Sequence, residues 1–384
     1  MRRSFRTVAA CGVGVGTMMM TVCGGGASSS AASNGPPGAQ AQEATAVVAA
    51  ASVLHSRFIS PGPAVPGATK LSGKVVYYVA AAIEVPLFKQ IADSLTVALK
   101  TVGVQVRVCD AQGNPEGAAN CLGQAVAAHA AAVVAGGFPD AFAPDAFKAV
   151  RAARIPLLYT MVTPVKSNNP KLVSYLSPDY FSLESQNADW VISNSDAKAN
   201  VLVVEATDNA DLIAWVQKGA LATYKAHCSQ CKVKVVTTTA AELEKLPSLV
   251  TSALVADPSI NYVQVAFDDR VQATLQGIQA SGRTSVKVIS EDGTLAVMQN
   301  LADGNLLAAE TGFDSQAFSW YAADRVVRMM AGQNAPNYAF PITRLFTRAT
   351  AAKLKLTPAT EASGVWYGNA DYRAGLEALW GVKG

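Results

Sequence analysis

The chain has 384 residues, half of them hydrophobic and 15% charged, with a formal net charge of +3. That length accommodates two domains once the N-terminus is set aside. The slight positive balance gives no clustered Lys/Arg face of the kind nucleic acid requires. After the N-terminus no run is both long and apolar enough to span a bilayer.

Residues 1–23 read as a targeting signal. Arg2, Arg3 and Arg6 form a positive start, and Thr7–Val22 is apolar and rich in small residues. The run stops at Cys23, followed by Gly24, Gly25 and Gly26. A cysteine in this place resembles a bacterial lipobox, in which the thiol takes a diacylglyceryl group and becomes the new N-terminus. Val22 departs from the Gly, Ala or Ser that lipoboxes prefer there, and the alternative is an ordinary secretory signal cleaved nearby. The expectation is an exported protein at a bacterial cell surface or in a periplasm, with a lipid anchor on Cys23. Residues 24–70 are Gly, Ser, Ala, Pro and Gln with hardly a charge, a composition that reads as a disordered tether. Within it, Ala44–His55 has the makings of a short helix.

From Lys74 to Val162 short apolar runs alternate with longer amphipathic ones. Val75–Val79, Val104–Val108, Ala131–Ala135 and Ile155–Tyr159 predict buried parallel strands. Pro86–Val102, Pro115–His129 and Pro144–Ala153 predict helices, each opening on a proline suited to a first turn. A βαβ alternation of this kind gives a parallel sheet with helices on both faces. Its ligands sit outside the carboxyl ends of the strands, which singles out the loops Ala80–Val85, Asp110–Asn114, Gly136–Ala141 and Thr160–Lys166. In the third loop, Asp140, Phe138 and Phe142 either line the mouth of a cleft or form a plain surface loop.

Leu172–Leu176 is a further strand and Ser182–Asn194 a helix, after which the alternation starts afresh. Predicted strands are Val201–Glu205, Lys232–Thr237, Tyr262–Phe267, Val286–Ser290 and Leu306–Glu310. Predicted helices are Asp208–His227, Ala240–Ala256 with Pro247 inside it or marking a break, Arg270–Ser281, Leu295–Leu301 and Ser315–Gly332. An extended segment, Pro341–Arg348, precedes the tail, which ends on Asp371–Trp380. Beyond the signal the cysteines fall into two local pairs, Cys109 with Cys121 and Cys228 with Cys231, and export makes disulfides their expected state. The second pair follows a helix and precedes a strand, whereas a reactive Cys-x-x-Cys opens a helix. Zinc is not expected, because His55, His129 and His227 are scattered and a second ligand pair is missing.

Several segments carry a resemblance to a family: a strand leading to Glu84-Val85-Pro86-Leu87-Phe88, then Asp110-Ala111-Gln112-Gly113-Asn114-Pro115, Ile155-Pro156-Leu157-Leu158, Phe267-Asp268-Asp269 and Glu291-Asp292-Gly293. In order and spacing they resemble the type I periplasmic solute-binding proteins of ABC importers, in the ribose/galactose-binding branch, over about Lys74 to the C-terminus. The resemblance implies an α/β fold of two Rossmann-like parallel-sheet lobes joined by three crossovers, near Ser177, near Thr311 and near Phe340–Arg344. The expected lobes are 71–177 with 312–340, and 178–311 with 341–384. It implies hinge closure around a small-molecule solute, an ABC permease as partner, a monomer and no cofactor.

Carried over residue by residue, the resemblance implies a ligand site of Glu84, Phe88, Met161, Trp215, Asp268, Asp292, Glu310 and Phe313. It is partial. Leu87 replaces an aromatic, Met161-Val162 stands where an Asp-Arg pair is expected, and Trp215-Val216-Gln217 lies where an arginine is expected. Charged groups are lost and apolar ones gained, which suits a ligand with an apolar body and one or two polar ends. The expected solute is a small aromatic, terpenoid or steroid-like compound or a deoxygenated sugar derivative. Asp268, Asp292 and Glu310 would anchor its polar or cationic end. Core packing is the competing role for Trp215 and Met161, and Asp110 reads as a turn acceptor. Two other readings remain: a binder of a plain sugar or sugar derivative, and a ligand sensor that presents its solute to a membrane receptor. An enzyme is not expected, since Gly-x-Ser-x-Gly, P-loop and His-Glu-x-x-His motifs are absent.

Overall fold

The computed structural model describes residues 35–304, 306–368 and 371–382. The expected signal, Cys23 included, and the first part of the expected tether lie outside them. The described chain opens with helix α1 (Pro37–Ala51) and then enters a βα alternation: β1 (Val75–Ala80), α2 (Pro86–Lys100), β2 (Gln105–Asp110), α3 (Pro115–Ala127), β3 (Ala132–Gly136), α4 (Pro144–Ala152), β4 (Leu157–Thr160) and β5 (Val173–Pro178). Proline opens each of these helices after α1, with its φ already set for the first turn. Asn114 adds a side-chain cap to α3, accepting from the Gly117 amide at 2.8 Å. The central strands are buried on both faces. The edge strand β2 is not, and Val108 stands 46% exposed there. Sequence reading gives this segment as buried because its alternation is masked by valines on both faces.

The second half repeats the plan with α5 (Tyr180–Asn194), β6 (Asn200–Ala206), α6 (Ala210–Trp215), α7 (Ala222–His227), β7 (Lys232–Thr238), α8 (Leu246–Ala256), β8 (Tyr262–Val265), α9 (Val271–Ala280), β9 (Lys287–Asp292), α10 (Leu295–Ala302) and β10 (Leu307–Phe313). Helix α11 (Ser315–Met330) follows, then β11 (Tyr338–Phe340), β12 (Thr343–Thr347), α12 (Arg348–Ala351), α13 (Pro358–Ser363) and α14 (Tyr372–Trp380). Two departures from the sequence reading have physical causes. The helix expected over Asp208–His227 is one rod interrupted by a π turn at Val216–Leu221, beside Gly219, where a Cβ would come within 2.7 Å of Glu184 and Phe181 on α5. The helix expected over Ala240–Ala256 begins as a 3₁₀ turn, and Pro247 sits in the first turn of α8, marking the break.

The strands form two six-stranded sheets, ordered β11-β5-β4-β3-β1-β2 and β12-β10-β9-β8-β6-β7. The first is parallel throughout, and in the second only β12 runs antiparallel, against β10. Each sheet with its helices is one lobe. The chain passes between them from β5 to α5, from β10 to α11 and from β11 to β12, so each sheet borrows an edge strand from the end of the chain.

Both expected cysteine pairs are bonded. Cys109, near the end of β2, is joined to Cys121 on α3, with the Cα atoms 5.7 Å apart. This bond ties the edge strand of the first sheet to the helix that follows it. Cys228 is joined to Cys231 across the turn from α7 to β7, with the Cα atoms 5.3 Å apart. Cys231 lies just before β7, so this pair closes the entry to a strand and does not open a helix, as its sequence context suggests.

The segment expected to be a disordered tether is instead folded onto the body from residue 37. Helix α1 packs on α5 of the second lobe and buries Gln40, Ala41 and Ala44. Small alanines make that close approach possible, and Gln40 Oε1 accepts from the amide and hydroxyl of Ser229, both at 3.2 Å. The chain then crosses to the first lobe. The Tyr321 hydroxyl donates to Ile59 O, Arg325 donates to Pro61 O at 2.9 Å, and the Val65 amide donates to Leu379 O at 2.7 Å. The tail crosses as well: α12 lies on α10 and β12, but α14 packs on α11 of the first lobe, so 341–384 does not belong wholly to the second lobe. Glu361 between them accepts from Gln90 Nε2 of the first lobe at 2.9 Å and from the Leu295 amide of the second at 2.8 Å.

Helix α11 receives these end segments, and Ser315–Met329 is buried along it. At its centre the buried Asp324 carboxylate accepts from Arg325 and Arg328, both at 2.7 Å, and from the Trp380 indole at 3.1 Å. Replacing Asp324 with Ala leaves two buried guanidinium groups without a counterion. The expected loss of unfolding free energy is about 3–5 kcal/mol, read from urea denaturation. A loss no greater than the roughly 1 kcal/mol of a surface pair would show that the arginines find other partners.

Candidate functional site

The carboxyl ends of both sheets face one another across the crossovers, and a cavity of about 380 Å³ lies between them. In the first lobe its wall is a set of stitched loops. Asp110 Oδ1 accepts from the Ile83 amide at 3.1 Å and the Gln112 amide at 2.9 Å, while Gly113 N donates to Ala81 O at 2.7 Å. Asp110 therefore serves as the turn acceptor its sequence context suggests. Gly137 has φ +85°, and a Cβ there would meet the Phe88 ring at 2.4 Å, so glycine is what lets Phe88 lie against the β3 loop. Phe88, Phe138, Phe142 and Met161 make this wall almost wholly apolar.

The second lobe supplies Tyr180, Trp215 and Phe267. Tyr180 stacks on Trp215 with centroids 4.2 Å apart, and Phe267 sets its edge against both, at 5.8 Å from Tyr180 and 6.2 Å from Trp215. The lobes touch beside this group. The Trp215 indole donates to Thr163 Oγ1 at 3.1 Å, and the Thr163 amide donates to Asp211 Oδ2 at 3.2 Å. Three non-glycine residues with positive φ line the cavity: Met161 at 55°, Phe267 at 70° and Asp292 at 129°. Backbone strain of this kind gathers where a fold aims side chains at a site.

The polar lining is concentrated in the second lobe. Arg270, 3% exposed, donates through Nη1 to both oxygens of Asp269, at 2.7 and 2.8 Å, and through Nη2 to Asp208 at 2.5 Å. Asp292, 6% exposed, has an Oδ1 with no hydrogen-bond partner. A second cavity of about 130 Å³ shares Val85, Leu87, Asp269 and Asp292 with the first and reaches Asp268 and Thr294. Asp268 is satisfied from within its own lobe: Ser290 donates to Oδ1 at 3.0 Å, and the amide and hydroxyl of Thr294 donate to Oδ2 at 2.8 and 2.6 Å.

The residues expected at a ligand site thus divide. Phe88, Met161, Trp215 and Asp292 line the main cavity, and Asp268 lines only the smaller one. Glu84 is exposed and lines neither, although Val85 and Leu87 beside it line both. Glu310 is fully buried and accepts from the Gly293 amide at 3.0 Å, so it braces the turn after β9. Phe313 is core, packed edge-on to Tyr180, Phe318 and Phe340. Neither disulfide reaches the cleft, since Cys109, Cys121, Cys228 and Cys231 line neither cavity. Of the open loop residues, Phe138 and Phe142 do line the cleft, while Asp140 is tied to Arg151 and Tyr159. Sequence reasoning missed Tyr180, Asp208, Asn209, Asp269 and Arg270. Asp268 and Asp269 both line the smaller cavity, but of the two it is Asp269 that lines the main one.

Behind this lining the second lobe buries carboxyl groups with few cations. Burial, partly offset by hydrogen bonds from Gln264, pushes Glu184 up to about 7. Burial and the nearby Glu184, Asp292 and Asp268 hold Glu291 well above the usual range, and burial with Asp268 does the same for Glu310. Asp268 rises only to about 6, since burial is countered by Glu310, Thr294 and Ser290. Burial raises Asp189 and Asp314 to about 7. A carboxyl raised in the folded state binds more protons there than in the unfolded chain. Its favourable contribution is full below the unfolded value near 4 and is lost as pH rises through the folded value. Thermal unfolding is therefore expected at a higher temperature at pH 5 than at pH 8, with most of the fall between pH 5 and pH 7. A flat or rising profile in scanning calorimetry would contradict this assignment.

Comparison with known proteins follows the same outline. A family model described as periplasmic binding protein domain matches residues 76–334, from β1 to just past α11. No curated protein matches the chain. Among solved structures, a sugar ABC transporter protein from Yersinia enterocolitica subsp. enterocolitica 8081 superposes with a TM-score of 0.70 at 16% identity, covering 83% of this chain and 98% of its own. A 5-methylthioribose transporter solute binding protein from Thermotoga lettingae TMO gives 0.68 at 15% identity, covering 79% and 96%. A protein from Mycobacterium smegmatis in complex with β-D-fucofuranose gives 0.66 at 18% identity, covering 76% and 98%. At these identities the likeness is one of fold, two α/β lobes of the type I periplasmic binding protein kind. The family match takes in five strands of each sheet and the cleft between them, stopping before β11 and β12, and the chain belongs to the periplasmic binding protein domain family.

Proposed function

We propose that this protein captures a small molecule between its lobes outside the cytoplasm and delivers it to an ABC importer. One observation carries the reading: a cavity of about 380 Å³ at the carboxyl ends of both sheets, walled by aromatic rings from both lobes and bordered by the Thr163–Trp215 contact. Cavities of this volume hold small ligands, and placement at a hinge lets closure bury them. Membership of the family supports a transport role over an enzymatic one.

The solute has an apolar body. Phe88, Phe138, Met161, Trp215 and Phe267 offer ring faces and a thioether, and a plain hexose would leave its hydroxyl groups without partners along that wall. A deoxygenated sugar derivative fits this description, and the Thermotoga lettingae protein bound to 5-methylthioribose, a pentose with a methylthio group in place of one hydroxyl, is a relevant neighbour. In isothermal calorimetry, ribose, glucose and galactose are expected to show no micromolar binding. For any apolar-bodied solute that does bind, Trp215→Ala should weaken affinity at least about tenfold. Micromolar binding of one of the three sugars would overturn the apolar-body reading.

The proposal includes an anchor. Cys23, directly after the apolar stretch of the signal, is taken to carry the lipid that keeps the protein beside its permease. Expressed in a bacterium, the full chain is expected to partition into the detergent phase and the Cys23→Ala variant into the aqueous phase. Equal partitioning would remove the anchor from the proposal.

A further inference from the structure

Resting on the reading of the cleft as the solute site, the charges that line it narrow the solute further. The two adjoining cavities together present four carboxylates, Asp208, Asp268, Asp269 and Asp292, and one cation, Arg270. Arg270 is already engaged, with Nη1 on Asp269 and Nη2 on Asp208. Asp268 is engaged as well, by Ser290 and Thr294. Asp292 is different. It is 6% exposed, lies on the surface of both cavities, and its Oδ1 has no partner. The Asp268 amide and the Arg270 charge favour the Asp292 anion but leave Oδ1 unpartnered. A buried carboxylate with an oxygen left unpartnered is costly, and the cost is removed by a proton or by a positive charge.

The surroundings favour the positive charge. Tyr180, Trp215 and Phe267 pack into one aromatic group on the same wall as Asp292, and Phe88 and Phe138 stand on the opposite wall. Aromatic faces attract ammonium groups, most strongly where water is excluded. An anion would meet Asp292 with no free guanidinium to receive it. We propose that the solute carries an ammonium-type cation on its apolar body and that Asp292 is the counterion that recognises it.

Other groups around Asp292 agree with this assignment. Asp268, Asp269 and Arg270 face it from the turn before α9, Glu291 precedes it on β9, and Glu310 stands on β10. The hydroxyls of Tyr180 and Tyr367 complete its titratable surroundings. The first-lobe residues beside it, Val85 and Leu87, carry no charge. Burial, with Asp268 and Asp269 nearby, holds the Asp292 carboxyl well above its usual range. A cation arriving there displaces a proton, and its affinity rises with pH.

The test uses matched probes on the intact protein: 2-phenylethylammonium, its near-isostere 2-phenylethanol, 3-phenylpropanoate and ribose, by calorimetry at pH 6 and pH 8. The same set is run on Asp292→Asn, which keeps the shape and removes the charge. The expected result is that the ammonium probe binds at least about tenfold more tightly than the alcohol, more tightly at pH 8 than at pH 6, and that the variant loses both preferences. If the alcohol or the carboxylate binds as well as the ammonium probe, the cation is overturned while the apolar solute site stands. Ribose binding alone overturns both the cation and the apolar body. If none of the four binds at millimolar concentration, the cleft as an apolar solute site fails, and the cation with it.

Discussion

A single buried carboxylate ties the ends of this chain to its centre. Asp324 lies on a helix with no solvent face and collects three donors, two guanidinium groups and an indole. Arg325, held in this way, also donates to Pro61 O and Pro336 O. The segment before β1, the approach to β11 and the final helix are thereby fixed to α11. A buried charge cluster is costly unless every member is paired, and here the pairing depends on both ends being in place. The helix in turn packs on α2, β3 and β4 of the first lobe and on α14.

The second lobe meets the opposite electrostatic problem. Glu184, Glu291, Asp292, Asp268 and Glu310 lie at or beneath the carboxyl ends of its strands with Arg270 as the cation on that side of the cleft. Gln264 partly resolves this by donating to Glu184, and Thr294 and Ser290 donate to Asp268. Glu184 Oε1, both Glu291 oxygens and Glu310 Oε2 are left without partners behind the cavity, and Asp292 Oδ1 is left so beside it. Of these groups, it is Asp292 that lines the cavity.

Much of the fold was legible because parallel strands and proline-opened helices carry strong local signals. Val75–Val79 and Pro86 mark strand and helix regardless of what packs on them. The cysteine pairs were legible for the same reason: Cys109 and Cys121, like Cys228 and Cys231, are close in sequence, so local structure alone brings them together. Of the folded N-terminal segment only a short helix over Ala44–His55 was legible, and it overlaps α1 at residues 44–51; its docking was not. Pro37–Ala51 is rich in alanine with little difference between its faces, so nothing in its pattern marks a buried side, and its order comes from α5, which is distant in sequence. The π turn at Val216–Leu221 has helical spacing and is dictated by the approach of Gly219 to α5. In the site, Phe88, Met161, Trp215 and Asp292 could be located from flanking motifs. Asp208 and Arg270 could not, since they become one feature only when the ends of β6 and β8 are neighbours in the sheet. Glu310 and Phe313 misled for a related reason: they lie on opposite faces of β10, and near the cleft that strand is buried on both.

The two end segments that cross between the lobes bear on how the jaws move. Rotation at the three crossovers must also be taken up by residues 52–67 and 352–368. The first segment is held to the second lobe by Arg344 Nε on Ser52 O and to the first by Arg325 Nη2 on Pro61 O, and the other is held by the hydrogen bonds that Glu361 receives. A hinge restrained in this way samples a narrower range of angles, and its resting population is set by the restraints as well as by the solute. Whatever fraction already rests closed raises apparent affinity, because that share of the closing free energy is no longer drawn from binding. Affinity is therefore shared between the cleft and the straps at its back, while discrimination between solutes stays with the cleft, and the resting angle becomes a property encoded in the chain ends.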